Sequence, residues 1–500
     1  MEKAQQLKAY LADLVHLQNT LALLGWDQQT YMPPGGATAR AEQVATLSRI
    51  AHEKFVSEET GRLLQETAGE VASLDYDSDE AALVRVVQHD YDLETRVPTR
   101  LVEEIARTTT QAHEIWAKAR EDNNFAAFAP ILEKIYDLMR QRAEALGYTD
   151  RMYDALLDQY EPHMKTADVE RLFDGLRQEL VPFVAAIFER LDAVDATPIH
   201  TDYDVDKQGA FGLKVIKQLG YDMTRGRQDK SVHPFTTGFS INDVRITTRY
   251  MPNYLPAALF GSIHEAGHAM YEQGSDQSLE GTPLAGGTSL GVHESQSRLW
   301  ENLVGRSRGF WHYFYPDLQR VFPDQLGQVD VEQFYRAINF VSRSLIRVEA
   351  DEVTYNLHIM LRFEMENALL EQKLAVKDAP EAWNAKMQAY LGITPPSDRE
   401  GILQDIHWSG GMVGYFPTYS LGNFLSVQFW DKALQDAPSI PGDIERGDFS
   451  TLLGWLQKNI YRHGRKFWPA ELTERVTGEP IQTRSFMRYL KAKYSDIYGV

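Results

Sequence analysis

Apolar side chains recur at intervals of three and four residues along most of the chain. The spacing is clear from Leu7 to Leu24, where leucines line one side of a helix until Met32-Pro33-Pro34-Gly35-Gly36 interrupts it. A mainly α-helical fold is therefore predicted. The same spacing predicts further helices over residues 37–54, 58–65, 77–93, 99–120, 125–146, 165–193, 206–219, 293–306, 331–373, 379–391 and 449–498, the last of them broken near Pro469 and Pro480.

The stretch 229–250 departs from this helical pattern. Val232, Phe235, Phe239, Ile241 and Val244 are β-branched, apolar or aromatic, and glycines stand before and within the stretch. These features predict a small antiparallel sheet, in which an exposed edge strand could hold an extended peptide. In the longest predicted helices, Pro182 is expected to kink or split residues 165–193, and residues 331–373 are read as one or two helices.

No internal repeat, low-complexity tract or interdomain linker is evident, so residues 1–500 are predicted to form one catalytic unit. Within it, the helices of residues 1–150 are expected to form a bundle that serves as a lid or wall. Residues 200–425 are expected to form the active-site core, because the candidate chemical groups fall there.

Charge and composition narrow the possible partners. The chain carries 51 basic and 71 acidic residues, a net charge of -20, which argues against nucleic acid and anionic membrane partners. It has no cysteine, which excludes disulfides, thiol nucleophiles and thiolate metal sites and fits the cytoplasm. No apolar run reaches the roughly 18 residues of a membrane span, and the N-terminus does not resemble a secretory signal.

The pattern H-E-x-x-H occurs at His264, Glu265 and His268. On a helix, residues four apart share a face, so the two imidazoles can bind one zinc ion while Glu265 holds a water. Pro256 and Gly274 suit the two ends of such a helix. The alternative is a structural helix with ordinary polar residues, and a third ligand would decide between them.

That third ligand must come from outside the motif, because the positions of a longer zinc pattern hold Tyr271 and Gly274. Spacing favours Glu294, which opens a helical segment able to pack beside the motif helix. Glu272 would lie along the motif helix and could not easily complete a tetrahedron. The downstream candidates are Glu272, Glu280, His293, Glu294 and Glu301.

A glycine-rich loop over residues 281–291 contains Gly287-Thr288-Ser289-Leu290-Gly291, which matches the G-x-S-x-G pattern of serine hydrolases. A nucleophile elbow needs a hydrophobic strand before the serine, and the preceding residues do not predict one. The serine-hydrolase interpretation is therefore disfavoured. The glycines are instead expected to let the backbone pass close to the metal site.

Two further groups could serve hydrolysis of a peptide bond. His407, Tyr415 and Tyr419 lie close together among glycines and could donate hydrogen bonds to a developing oxyanion. Arg347, read as lying mid-helix, and Arg245, in the predicted strand, could hold the carboxylate of a peptide C-terminus. The alternative for each arginine is an ion pair with a nearby carboxylate.

Taken together, these motifs resemble those of the carboxypeptidase Taq family of zinc metallocarboxypeptidases. The resemblance extends from Trp26 to about Gly422, and no metal or catalytic position departs from it. The motifs that carry it are Trp26–Gly36 with Arg40 and Gln43, His233–Phe235, Asp243–Thr247, His264–His268, His293–Arg298 and Gly401–Trp408.

The resemblance implies a helical superstructure with a deep cleft, similar to neurolysin and angiotensin-converting enzyme, and a homodimer. It implies removal of C-terminal amino acids from peptides, with broad specificity, by Glu-assisted attack of a zinc-bound water; Co²⁺ would suit the same ligands. The roles it implies are zinc ligands at His264, His268 and Glu294, general base at Glu265, oxyanion donors at His407 and Tyr419 or Tyr415, carboxylate anchor at Arg347, and substrate contacts along Asp243, Arg245 and Thr247.

Two other functions fit the same residues. An oligoendopeptidase of the same fold would cut within peptides and would not need a free substrate carboxylate. A non-catalytic helical peptide-binding protein would keep a structural metal, which requires a fourth protein ligand.

Overall fold

The computed structural model describes residues 2–500, which form a mainly helical fold with three short strands, as predicted. Two compact units are interleaved along the chain. The first unit comprises Met1–Glu94, Asp195–Ile338 and Ser426–Pro480, and the second comprises Thr95–Val194, Asn339–Leu425 and Ile481–Val500. The predicted cleft and the predicted lid and core ranges stay predictions.

The helices follow one another with short connections along the chain. They are α1 (Glu2–Thr30), α2 (Ala37–Phe55), α3 (Glu58–Val71), α4 (Asp79–Arg96), α5 (Thr99–Glu121), α6 (Phe125–Leu146), α7 (Met152–Leu157), α8 (Thr166–Phe188), α9 (Val205–Leu219), α10 (Leu255–Gln273), α11 (Leu290–Arg298), α12 (Arg308–Val321), α13 (Pro323–Leu326), α14 (Val331–Ile338), α15 (Tyr355–Leu370), α16 (Ala379–Leu391), α17 (Pro417–Asp436), α18 (Ile440–Glu445), α19 (Ser450–Asn459), α20 (Pro469–Thr477) and α21 (Arg484–Tyr498).

The sheet lies in the first unit and consists of β1 (Gln228–Lys230), β2 (Thr236–Ser240) and β3 (Asp243–Thr248), in the order β1-β3-β2. β2 pairs with β3 in the predicted antiparallel sense, but β1 pairs with β3 in parallel, so the sheet is mixed. β3 is the central strand, and both of its edges are occupied. A peptide can add only to an outer strand such as β2, and the expectation that the Asp243–Thr247 strand lines the substrate's backbone stays a prediction.

The helix that carries the H-E-x-x-H pattern is α10. Pro256 stands in its first turn, where a missing backbone N–H costs nothing, and Gly274 follows its last residue, as predicted. The reason for this glycine is packing: a Cβ at Gly274 would lie 2.5 Å from the ring of Tyr461. The π-helical segment Leu299–Val304 continues α11 directly.

Residues 331–373 are not continuously helical. α14 ends at Ile338 and α15 begins at Tyr355, so Arg347 lies in a 3₁₀ turn (Arg347–Glu349) and not mid-helix, contrary to the prediction. The physical reason is Asp351, whose side chain accepts hydrogen bonds from the backbone N–H groups of Ser342, Val353 and Thr354. Such side-chain bonds replace the backbone ladder of a helix.

α8 runs through Pro182 to Phe188 without a break, so the expectation of a split there is wrong. Leu180 and Val184, on either side of the proline, are buried at 0% and 1% exposure. Their burial offsets the one hydrogen bond that the proline cannot donate.

In the first unit, α1, α3 and α4 share an apolar core built from the predicted leucine face of α1, with Leu7 and Leu11 fully buried. Among residues 2–500, none of the helices combines the length and the apolar content needed to cross a membrane.

Candidate metal centre and cationic cluster

The first unit brings the three predicted metal ligands together. His264 and His268 lie one turn apart on α10, and their Nε2 atoms face the same Oε2 of Glu294, at 3.6 and 3.4 Å. Ligand atoms arranged tetrahedrally around one zinc ion lie about 3.4 Å apart. The donor set therefore fits a metal ion, and this group contains three ligands and no fourth among residues 2–500. An open coordination position is typical of a catalytic site.

Glu294 reaches the histidines because α10 and α11 approach closely. A Cβ at Gly267 would lie 2.7 Å from the Cα of Ser297, so only glycine fits between the two histidines at this contact. Ser289 caps α11, with its Oγ accepting from the backbone N–H of Val292 at 3.1 Å. The serine of the G-x-S-x-G pattern is thus a helix cap that no strand precedes.

Charged neighbours and burial shift the pKa values of the groups at this centre. Arg298 donates to Oε1 of Glu294 at 2.6 Å, and Glu301 lies 2.8 Å from Nδ1 of His264. Burial alone would raise the pKa of Glu294, but Arg298 and His264 hold it well below its ordinary value. The pKa of Glu301 falls to about 2 despite burial, chiefly because of Arg298. Burial lowers the pKa of His268 to about 4.

Glu265 is held beside the centre rather than in it. Its side chain is 7% exposed, and the hydroxyl of Thr236 on β2 donates to its Oε2 at 2.7 Å. Burial raises the pKa of this carboxyl above its ordinary value. A raised pKa brings a carboxylate closer to the range in which it can both take and return a proton.

The other candidates for the third ligand have different positions. His293 lies between His268 and Glu272, at 2.6 Å from the first and 2.7 Å from the second. Glu301 binds His264, as described above, and Glu280 accepts from the backbone N–H of Ile241 at 2.8 Å. None of these four completes the group of three ligands.

The second unit holds a cluster of two arginines on one aspartate, which we call the cationic cluster (Arg347, Arg362 and Asp405). Nε and Nη2 of Arg347 donate to Oδ1 of Asp405 at 3.0 and 2.8 Å, and Nε of Arg362 donates to Oδ2 at 2.6 Å. The ion-pair alternative considered for Arg347 is thus present. One carboxylate serves two guanidinium groups, so the cluster keeps an unbalanced positive charge.

The two arginines use their donors alike and differ in exposure. All three side-chain nitrogens of Arg362 donate to protein oxygens, and the residue is 0% exposed. All three side-chain nitrogens of Arg347 also donate, the third to the hydroxyl of Tyr355 at 2.8 Å, and this residue is 5% exposed. Each guanidinium thus uses three of its five N–H groups, and Arg347 is the more exposed of the two.

The three predicted oxyanion donors lie together in the second unit. Nε2 of His407 is 3.2 Å from the hydroxyl of Tyr419, and the rings of His407 and Tyr415 are 5.4 Å apart. The guanidinium of Arg347 stands over the Tyr419 ring, 4.9 Å from its centroid. Burial lowers the pKa of His407 to about 4, helped by the two arginines and opposed by Asp405, so the ring is neutral at neutral pH.

The three predicted substrate contacts on β3 are all engaged within the first unit. Arg245 forms a two-point ion pair with Asp243, at 2.8 and 2.7 Å, and its guanidinium stands over the ring of Trp26. Thr247 is fully buried, and its hydroxyl contacts the hydroxyl of Ser231 and the backbone of Phe235. Their roles towards a substrate stay predictions.

Comparison with known proteins places this geometry in a family. A family model described as Carboxypeptidase Taq (M32) metallopeptidase matches residues 6–494. The chain belongs to this family. Thermostable carboxypeptidase 1 of Thermus thermophilus is 41% identical over 99% of both proteins, and carboxypeptidase 1 of Bacillus subtilis is 37% identical over 98% of this chain and 97% of the relative. The crystal structure of the M32 carboxypeptidase from Deinococcus radiodurans R1 is 43% identical, with a TM-score of 0.97 over all of both chains.

Membership of the carboxypeptidase Taq family confirms the resemblance drawn from the motifs and the predicted class of enzyme, a metallocarboxypeptidase. The helical fold class is confirmed by the structural neighbours, which are carboxypeptidases of the same family. The alternative of a non-catalytic peptide-binding protein is set aside, because the family's members are peptide hydrolases.

Some residues of these carboxypeptidase sites were not predicted. Arg298 and Asp405 carried a usable signal, since one lies four residues after a candidate ligand on a helix and the other two residues before His407. Thr236 and Arg362 carried none. Each reaches its partner through contacts that span about thirty or forty residues, which local spacing does not encode.

Proposed function

We propose that the chain is a zinc carboxypeptidase that removes C-terminal amino acids from peptides with broad specificity. The single observation that carries this is the three-ligand centre of His264, His268 and Glu294, with the buried carboxylate of Glu265 beside it. Nitrogen and carboxylate ligands in this number suit Zn²⁺, and Co²⁺ fits the same donors.

A divalent metal bound there would supply Lewis acidity, polarising the scissile carbonyl and acidifying a water. Glu265 takes the proton from the attacking water and returns it to the leaving amino group. Thr236 holds one carboxylate oxygen of Glu265 and leaves the other for this exchange. Burial favours this exchange because it raises the pKa of Glu265. The carboxylate then takes the proton from water more readily and can still return it to the leaving amino group.

The second unit supplies the groups that recognise the end of the peptide. Arg347, the more exposed arginine of a cluster with an unbalanced positive charge, binds the substrate's C-terminal carboxylate. His407 and Tyr419 donate to the oxyanion, the histidine as a neutral imidazole. Tyr419 is favoured over Tyr415 because its hydroxyl lies 3.2 Å from Nε2 of His407.

Broad specificity is supported by the residues next to these groups. Val348 follows Arg347 and is 70% exposed, and Ile406 precedes His407 and is 44% exposed. Neither carries a charge, so neither selects a substrate side chain by charge. Peptides ending in different apolar and polar residues are expected to differ in rate by modest factors, since one methylene changes binding in an apolar site by about 1–3 kcal/mol.

The test is digestion of a mixed peptide library, read by mass, with and without a chelator. The expected result is a ladder of peptides shortened one residue at a time from the C-terminus, abolished by the chelator and restored by Zn²⁺ or Co²⁺. Internal cuts would instead support the oligoendopeptidase. Cleavage that persists after complete metal removal would contradict the proposal.

We also propose a homodimer and a cytoplasmic location. The first rests on the resemblance to the family, and the second on the absence of cysteine from the sequence. Light scattering on the purified protein checks the first: the chain weighs 57.0 kDa, so a dimer gives twice that mass and a monomer contradicts the proposal.

A further inference from the structure

The two histidines of the metal centre have different partners behind them. Nδ1 of His264 meets a carboxylate directly, that of Glu301 at 2.8 Å. Nδ1 of His268 instead meets Nδ1 of His293 at 2.6 Å, and Nε2 of His293 lies 2.7 Å from Oε1 of Glu272. Each of the two histidine ligands is thus backed by a carboxylate. Glu301 contacts His264 directly, whereas the imidazole of His293 lies between His268 and Glu272.

Metal binding leaves one arrangement of protons for this chain. A histidine that binds through Nε2 carries its proton on Nδ1, so His268 donates to Nδ1 of His293. His293 then carries its own proton on Nε2 and donates it to Glu272. Both bonds form with both rings neutral, and each bond polarises the next.

We propose that His293 and Glu272 are positioning residues that orient His268 and raise its basicity as a metal ligand. This inference rests on the proposed metal centre. The three side chains form what we call the His268–His293–Glu272 relay. His293 and Glu272 do not touch the metal or the substrate in this assignment, and they act only through His268.

The fold builds the relay from neighbours of the ligands themselves. Glu272 follows His268 by one turn of α10 and lies on the same face. His293 precedes the ligand Glu294 on α11, so adjacent residues of one helix serve the metal and the relay. The side chains of His293 and Glu272 are 20% and 24% exposed, which keeps their hydrogen bond largely out of water.

The glycine-rich loop of residues 281–291 packs against the relay. A Cβ at Gly287 would lie 2.6 Å from Cδ2 of His293 and 2.9 Å from the ring of Tyr271. Gly286 has a φ of +98°, which side chains rarely adopt, and a Cβ there would lie 3.2 Å from Oε2 of Glu272. The backbone of Gly287 also hydrogen-bonds the Glu272 carboxylate. The loop therefore packs closely against the relay. This close contact accounts for its glycines, which do not form a nucleophile elbow.

The experiment measures metal binding by the full-length protein in three variants. His293→Leu removes the relay. His293→Gln can accept from His268 with its oxygen and donate to Glu272 with its nitrogen, and so restores part of it. Glu272→Gln keeps an acceptor but removes the charge. The matched control is His312→Leu, the same change at an exposed histidine of the same unit.

Zinc affinity is measured by competition with a chelator, and the cobalt-loaded proteins are compared by their visible absorption spectra. His293→Leu is expected to lose roughly 10- to 100-fold in zinc affinity and to shift the cobalt bands. His293→Gln and Glu272→Gln are expected to lose less, and His312→Leu nothing. A structural role alone would lower the melting temperature of the metal-free protein without this graded loss.

Wild-type affinity and an unchanged cobalt spectrum in His293→Leu would overturn the relay. If that variant does not fold, equal affinity of wild type, His293→Gln and Glu272→Gln would overturn it instead. Failure of the metal centre itself is recognised separately: His264→Ala would then bind zinc as wild type does.

Discussion

The metal centre of the first unit and the cationic cluster of the second are built in opposite ways. The centre gathers two imidazoles and the ionised carboxylate of Glu294, a set that can bind a cation, on two helices. The cluster places two guanidinium groups on the single carboxylate of Asp405, which leaves a positive charge, and Arg347 and Asp405 both lie outside α-helices. One region is suited to hold a metal, and the other to hold an anion.

The difference shows how each region keeps its geometry. In the metal centre, helix spacing fixes His264 and His268, and a glycine contact fixes their distance from Glu294. In the cationic cluster, hydrogen bonds from side chains hold the turns. Oε1 of Gln404, for example, accepts from Nη2 of Arg362 and from the backbone N–H of Arg347. Single substitutions in each region can therefore separate these two ways of keeping the geometry.

Glu265→Gln should give the largest loss, because the amide cannot take the proton of the attacking water. We expect kcat to fall by about 10²- to 10⁴-fold while the zinc content and melting temperature stay those of wild type. Steady-state kinetics and metal analysis check this. Glu474→Gln, at an exposed glutamate of the same unit, is the control. Full activity of Glu265→Gln would end the proposed role.

Tyr419→Phe tests the donor in the second unit. Loss of one oxyanion donor is expected to lower kcat by about 10²-fold with little change in KM, because the bond forms only in the transition state. Tyr415→Phe is the matched variant, and its kcat should fall less, since the hydroxyl of Tyr419 is the one next to His407. The opposite order would assign the oxyanion to Tyr415.

Gly267→Ala tests the contact that sets the metal centre. The added Cβ would press on the backbone of Ser297, and overpacking of this kind costs about 1–3 kcal/mol. We expect weaker zinc binding together with a lower melting temperature, because Glu294 moves away from the histidines. Gly261→Ala, on the same helix, would bring its Cβ no closer than 3.9 Å to the hydroxyl of Thr248 and should behave as wild type. Unchanged zinc affinity in Gly267→Ala would show that the contact does not control the centre.

The positive charge of the second unit should appear in the pH dependence of stability. His358 is fully buried, and burial, then Arg362 and Arg347, lower its pKa from 6.5 to about 3. The unfolded chain therefore takes up a proton near pH 6.5 that the folded chain refuses until about pH 3, so stability falls as pH falls through this window.

His358→Gln should therefore lose less stability than wild type between pH 6.5 and pH 4.5. Melting temperatures of the metal-free proteins measure this, so that metal binding does not contribute to the pH dependence. His113→Gln, at an exposed histidine of the same unit, is the control. Parallel curves for wild type and His358→Gln would contradict the placement of excess charge around His358.

The regular parts of the molecule could be predicted from the sequence. The limits of α6 and α16 agree with their predictions, because apolar periodicity runs through both helices and a glycine follows the last residue of each. The candidate metal ligands could be predicted for the same reason, since His264 and His268 lie one helical turn apart and Glu294 lies on α11, the next α-helix. Even the alternatives Glu301 and His293 lie at the centre, as partners of the ligands.

Contacts between distant residues could not be predicted in this way. The sequence places Arg347 mid-helix because apolar and acidic residues alternate around it with helical spacing. In the structure, the side chain of Asp351 accepts hydrogen bonds from backbone N–H groups of this segment, which forms turns instead. The order of the sheet was also hidden, because strand composition does not say which strand is central. In both cases the decisive interaction joins residues that no periodic pattern relates.

The account's central claim is that the positive charge at Arg347 makes this enzyme trim peptide ends. The most direct test compares kcat/KM for one peptide with a free C-terminus and with a C-terminal amide, in wild type and in Arg347→Gln. We expect wild type to prefer the free acid by roughly 10- to 100-fold, the value of a charged hydrogen bond, and the variant to lose that preference. Equal cleavage of acid and amide by wild type, or an undiminished preference in Arg347→Gln, would contradict the claim.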